Sequence, residues 1–238
     1  MVSAAEVPGD GRRRAGRPPH ALLSSARITR AALKLISHDG YKGLTMAALA
    51  RSMNVAPSAL YNHVRSKQDV LLLVEDHLMG RVDVSSFATE SWETAVNTWA
   101  HSYRNVFASH LPLIPVIALL PVTNAPKTIT MYEAVTNGFL AAGWAPEGII
   151  DAVVALESFI YGSAYDANAP ADIFDAGTMA PQSPNFSAAV ARRGRCGPSG
   201  SGASEGSASP RNDADAAFTL GLKAMIAGLA ATMGPPSG

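Results

Sequence analysis

The chain has one cysteine, Cys196, among 238 residues. That excludes an intramolecular disulfide and a multi-cysteine metal site. The six histidines stand without acidic or cysteine partners at zinc-ligand spacing, so no metal is expected. Net charge is lacking as well, because Lys+Arg and Asp+Glu both number 19. The arginines near the N-terminus are followed by no apolar run, so no signal peptide is expected. No apolar run is read as long enough to cross a bilayer. The expectation is therefore a cytoplasmic protein with no membrane partner. Strand signals are nearly absent, which points to an all-α protein. No nucleophile–base set stands out, so an enzyme is not expected, and neither is a cofactor. "GASEG", Gly202 to Gly206, fits a hydrolase pattern but lies in low-complexity sequence with no strand before it.

What is present begins with composition. The chain is 47% hydrophobic, enough for a sizeable core. Its charge is unevenly placed, at +6 over residues 1–81 and −6 over residues 82–238. A basic first part joined to an acidic remainder hints at a polyanion partner for the first part alone, with chance clustering as the alternative.

Helical periodicity organises the chain after residue 23. Ile28, Ala32, Leu35 and Ile36 share one face, and Gly40 is the expected stop. Thr45 is a natural N-cap for a second helix with Met46, Leu49, Ala50 and Met53 inward. "NVAP" is a tight turn, and Pro57 suits the first position of a third helix anchored by Leu60 and Val64. Ser66-x-x-Asp69 resembles a capping box and opens a fourth helix with Leu71, Val74 and Leu78 buried. Further helices are expected from Trp92 to about Pro112, from Pro126 to Ala142, from Pro146 to Asp166 and from Asp213 to Met233. Between roughly 180 and 212 the composition falls to Gly, Ser, Ala, Pro and Arg, so a disordered loop is expected there.

Two short helices joined by a tight turn fit a helix-turn-helix, whose second helix enters the DNA major groove. A plain three-helix packing unit is the alternative, because many such shapes bind no DNA. With Leu60 and Val64 inward, Pro57, Ser58, Tyr61 and Asn62 can face out. Asn62 could pair with an adenine edge, while Tyr61 and Lys67 sit where phosphate contacts would fix register. "GRRRAGRPP" places Arg17 in a basic arm. It either enters a minor groove or stays a solvated tail.

The stretch "ALKLISHDGYKGLTMAALARSMNVAPSALYNHVRSKQDVLLLV" resembles the TetR family of bacterial transcriptional regulators through Gly40, Leu44, Thr45, Ala50, Val55, Leu60, Tyr61, His63, Val64 and Lys67. Asn54 replaces the usual turn glycine and Ala56 the usual Ser/Thr cap. The later sequence is more weakly similar to the tetracycline-repressor branch, at Ser91–Trp92, at Arg104 before His110, at "SFIYG" and at "FTLGLKAMIAGL". The resemblance implies a basic arm over 1–23, a DNA-binding domain over 24–81, and a ligand-binding and dimerisation domain over 82–238. It implies a DNA-facing set of Arg17, Thr45, Met46, Pro57, Ser58, Ala59, Tyr61, Asn62, His63 and Lys67. The implied ligand-facing set is Trp99, Tyr103, Phe107, His110, Tyr132 and Phe159. Ordinary core packing is the alternative for that aromatic stripe, favoured for Trp92 and Phe107. The last two long helices would form a homodimer interface through Val153, Ile160, Leu222 and Ile226. The implied function is a repressor released from a near-palindromic operator by a small molecule, with a constitutive regulator or an enzyme on the same helices as rivals. The histidines through which tetracycline repressors hold a metal-bound drug find no match, which argues against tetracycline.

Overall fold

A computed structural model describes residues 23–170, 172–193 and 210–232. Arg17, Cys196 and "GASEG" lie outside them, as do residues 194–209 of the expected disordered loop. Among the described residues there are ten α-helices and no strand.

The first helix, α1 (Ser25–Gly43), is opened by Ser24, whose hydroxyl accepts from the Arg27 N–H. Its regular winding breaks at Gly40, at φ 70°, a conformation that costs a residue without a Cβ little. Thr45 caps α2 (Met46–Ser52) by accepting from the Ala48 N–H at 3.1 Å. Asn54 then takes φ 54°, so the amide residue does fill the left-handed turn position. Pro57 opens α3 (Pro57–Tyr61), and Ala56 supplies no side-chain cap. A five-residue helix has no stability of its own; it is held by Leu60 and Val64, 0% and 2% exposed. Ser66 caps α4 (Lys67–Met79) by accepting from the Asp69 N–H, and Asp69 in turn accepts from the Arg65 N–H at 2.7 Å.

The second layer holds α5 (Trp92–Ala108), the short α6 (Ile114–Ile117), α7 (Pro126–Ala141) and α8 (Pro146–Asp166). It is completed by α9 (Pro184–Arg193) and α10 (Pro210–Thr232). α5 lies against α8, and α10 covers both; α4 packs on α1 and on α7. One hydrophobic core therefore runs from Ile28 in α1 to Ile226 in α10. The N-terminus of α7 lacks a cap of its own. Asp76 of α4 supplies one, accepting from the N–H groups of Lys127 (2.6 Å) and Thr128 (3.3 Å). A carboxylate there also suits the helix dipole.

Two expectations need correction. Residues 184–193 of the segment expected to be disordered form α9, although none of its side chains is buried. Ala188, Ala189 and Ala191 favour helix, Arg192 and Arg193 sit in its last turn, and Phe186 meets Phe174. Composition alone hid that local propensity. Secondly, α8 and residues 214–232 of α10 are long and apolar enough to cross a membrane by length and composition. Their Ala and Gly content conceals the length of the apolar stretch from a search for unbroken large side chains.

Candidate functional site

The recognition surface follows from which side chains α3 spends on the core. With Leu60 and Val64 inward, Pro57, Ser58, Tyr61, Asn62 and His63 are all exposed. Ala59 and Met46 are half-buried, and Met46 packs against the core. The Thr45 hydroxyl serves the α2 cap first. Lys67 is more committed than its sequence position implied. Its ammonium donates to the Tyr41 carbonyl at 3.0 Å and lies 3.7 Å from the centre of the Tyr41 ring. That ties α4 to α1, and an ammonium has further N–H groups left for a phosphate. A second basic surface runs along α1, where Arg27, Arg30, Lys34 and His38 line a groove with Asn54.

The ligand-facing set divides. Trp99, Tyr103 and Phe107 stand on one face of α5, all at 0% exposure, with rings stacked edge-on or tilted along the helix. Tyr103 donates to Glu157 Oε1 at 3.0 Å and shares a 2.8 Å hydrogen bond with the Tyr161 hydroxyl. Tyr132 on α7 donates to the same Glu157 oxygen at 2.7 Å. The structure thus brings Trp99, Tyr103, Phe107 and Tyr132 to one place. His110 stands apart, its Nδ1 bonded to the Val106 carbonyl at 2.8 Å. Phe159 belongs elsewhere: it stacks on Phe218 of α10 at 5.4 Å and 9°. Residues two apart on a helix do not share a face, so Phe159 turns away from the side that carries Glu157 and Tyr161. Gly221 of α10 makes that approach possible, since a Cβ there would stand 2.6 Å from the Phe159 ring.

Sequence reasoning missed three members of this cluster, Glu75, Glu157 and Tyr161. Glu75 is 2% exposed, and its Oε2 has no hydrogen-bond partner. Burial raises its pKa to about 7, helped by the charges of Asp76 and Glu157. Burial also raises that of Glu157, against the opposing hydrogen bonds from Tyr132 and Tyr103. Desolvation and the neighbouring Glu157 charge hold the three phenols protonated far above their ordinary range. The available signal was a carboxylate at the end of one apolar run, "LLLVED", and another inside a second, "VVALESFIYG". A buried acid has to be answered by something.

The proposed dimer residues also need correction. Val153, Ile160, Leu222 and Ile226 are buried within the protomer, at 8% exposure or less. Helices that are apolar all round do not declare which face turns inward. The outer faces of α8 and α10 instead carry Ile150, Val154 and Leu220, exposed by 61%, 53% and 73%.

Comparison with known proteins agrees with this arrangement. Residues 28–74 match the bacterial regulatory proteins of the tetR family, and residues 88–233 match the tetracyclin repressor-like C-terminal domain. An HTH-type transcriptional regulator of Saccharopolyspora erythraea is 27% identical over 90% of this chain and 87% of its own. The HTH-type transcriptional regulator YobS of Bacillus subtilis is 30% identical over 60% of this chain and 78% of its own. Among solved structures, the TetR family protein ActR of Streptomyces coelicolor in complex with actinorhodin superposes with a TM-score of 0.68. It is 25% identical, over 90% of this chain and 98% of that one. Helix-turn-helix, cross-packed α4 and helical C-terminal domain fall in the order those matches require, and the chain belongs to the TetR family of bacterial transcriptional regulators.

Proposed function

We propose that this regulator is a homodimeric repressor that leaves a near-palindromic operator when a small molecule occupies the site around Trp99, Tyr103 and Tyr132. In this reading residues 24–81 bind DNA and residues 82–238 bind effector and partner subunit. The protein works in the cytoplasm, on the nucleoid when bound to operator. Repression rather than activation rests on the family resemblance.

The observation that carries the reading is α4. It starts at Lys67, tied to α1 beside the recognition helix, and reaches the C-terminal domain through Asp76, which caps α7. A ligand that favours one placement of α7 therefore acts on α4 and on the spacing of two recognition helices. It shifts the equilibrium only if it binds the two placements unequally. The outer faces of α8 and α10 support the dimer. In the apolar windows of α8 and α10 only 33% and 17% of residues are buried inside one protomer. Pairing about a two-fold axis would cover the rest and match two operator half-sites.

A constitutive regulator without ligand is the second reading. Against it stand Trp99 Nε1, Thr128 Oγ1 and Glu75 Oε2, buried without hydrogen-bond partners in the C-terminal half or facing it. A finished core leaves few such groups. ActR, crystallised in complex with actinorhodin, is a structural relative that does bind a small molecule. The test is to select duplexes from a random pool, titrate the winner against ionic strength, and then screen compounds for its release. Sequence-indifferent binding would defeat the operator reading, and a screen in which no compound releases DNA would favour the constitutive one.

A further inference from the structure

We propose that the effector carries a positively charged nitrogen on an apolar, aromatic body, and that Glu75 and Glu157 are the groups that receive it. This rests on the effector-site reading above and adds the chemical class of the ligand.

The geometry begins with Glu157. Its Oε1 already accepts from two phenols, Tyr103 and Tyr132. Tyr103 also meets the Tyr161 hydroxyl, and Phe107 packs edge-on or tilted against both those rings. Three helices thus aim hydroxyls and one carboxylate at a common point, walled by aromatic rings. Such rings present negative faces that favour a cation. Glu75 approaches the same cluster from α4: it feels the charge of Glu157, and its own charge is felt by Tyr132 and Tyr161. Its Oε2 is buried and receives no donor.

The independent observation is the balance of groups. No lysine or arginine pairs with either carboxylate among the described residues. Arg104, the one buried arginine among those residues, is held by Ser163 and Asp215 instead. Two acids buried without a cation are expensive. A ligand ammonium or amidinium supplies both the missing charge and the missing donor, whereas a carboxylate or sulfonate would be repelled twice. Trp99 Nε1, also buried and without a partner, adds a donor for a carbonyl or hydroxyl elsewhere on the ligand. The site is therefore built for an amphipathic amine, with the charged end toward α4 and α8. Placing that end against Glu75 makes the helix that serves the DNA-binding half part of the binding site.

Binding should also release protons. Glu75 is half protonated near neutral pH, and a cation favours its ionised form. The proton then passes to buffer.

A three-member series on one aromatic body tests this in the full-length protein: 2-naphthylmethylamine, 2-naphthylmethanol and 2-naphthoate. Titration by calorimetry in two buffers of different ionisation enthalpy reads affinity and proton release together. The expected order is amine over alcohol over carboxylate, with at least a tenfold preference for the amine over the carboxylate and protons released only by the amine. Glu75→Gln and Glu157→Gln should each reduce the amine's advantage over the alcohol severalfold. The order in the wild-type protein decides the matter even if a variant folds poorly. Equal or tighter binding of the carboxylate, or an amine that binds no better than the alcohol, overturns the inference. Operator release by neutral or anionic compounds alone would also overturn it while leaving the effector reading intact. Release by no compound of any charge would defeat both.

Discussion

Arg104 and Asp215, 111 residues apart in sequence, meet at 2.5 Å and join α5 to α10. The guanidinium also donates to the Ser163 carbonyl of α8 at 3.2 Å and lies 4.7 Å from the Phe218 ring. The two partners are unequal, with Arg104 buried and the Asp215 side chain 60% exposed. The unequal burial predicts unequal costs. Asp215→Asn keeps an oxygen to accept the Arg104 N–H but leaves the buried guanidinium without its counter-charge, and should cost roughly 1–2 kcal/mol. Arg104→Ala removes a packed stem as well as the bond to Ser163, and should cost more, about 2–4 kcal/mol. Urea unfolding of both variants checks the order, and the reverse order would mean the ion pair, not the stem, holds the helices.

Glu75 predicts a pH dependence of stability. Its folded-state pKa of about 7 lies above the ordinary 4.5, so the folded chain holds the proton to higher pH than the unfolded chain does. The contribution to stability is complete below the unfolded value and is lost as pH rises through 7. The groups that face it, Asp76 on its own helix and Glu157, Tyr132 and Tyr161 across from it, all push in that direction or stay neutral. Wild type should therefore lose stability relative to Glu75→Gln between about pH 5 and about pH 8, by at most about 3 kcal/mol. Chemical unfolding at the two ends of that range reads it. Parallel profiles for the two proteins would show that Glu75 is solvated more than its burial implies.

The recognition surface predicts two distinct responses to mutation. Asn62→Ala should relax preference at one base position, costing roughly 1–3 kcal/mol if the contact is bidentate. Lys67→Ala should weaken binding to every sequence and flatten the salt slope by about one unit. Because Lys67 also bonds to the Tyr41 carbonyl, that variant should melt earlier too. A loss of affinity that follows the loss of folded protein, with an unchanged salt slope, would make Lys67 a strut between α1 and α4 only.

Much of the first half was legible because its cues are local. Thr45 as cap, Pro57 as helix start, the left-handed turn at Asn54 and the inward pair Leu60 and Val64 are set by residues within a turn or two of one another. The later helices were legible as helices but not as faces. In α8 nearly every position is apolar, so period alone did not separate Val153, buried, from Val154, exposed. Phe159 was misplaced for the same reason. The carboxylates were hidden because their meaning is tertiary. Glu75 and Glu157 lie 82 positions apart, and only the packing of α4, α7 and α8 makes them one site.

The corrected faces predict which substitutions break the dimer. Val154→Glu and Leu220→Glu place charges on exposed positions of the protomer, so each should leave the subunit folded. If those faces pair, each charge becomes buried without a partner and association should fail. Ile226→Glu, by contrast, puts its charge into the protomer's own core and should unfold the subunit. Sedimentation beside thermal melting separates the two classes. Dimers that persist in both surface variants would move the interface elsewhere.

Trp99 supplies the last prediction. It is fully buried between Phe87 and Tyr103, at ring distances of 6.5 and 5.5 Å, so it serves the core whatever else it does. Trp99→Ala should cost roughly 3–5 kcal/mol and lower operator binding merely by unfolding protein, which makes it a poor probe. Trp99→Phe is a better one. It keeps an aromatic ring against Tyr103 and removes an indole N–H that bonds to nothing in the free protein. Deleting an unpartnered donor relieves a burial penalty, which offsets part of the volume lost, so the variant should melt within a few degrees of wild type. Its affinity for operator without effector should be unchanged, because the ring contacts of Trp99, Phe87 and Tyr103, lie outside α3. If the indole N–H meets the effector, the dose needed for release should rise about fivefold to tenfold, as for one lost hydrogen bond. An unchanged dose with an unchanged melt would make Trp99 core alone and shift the polar contact to the phenols around Glu157.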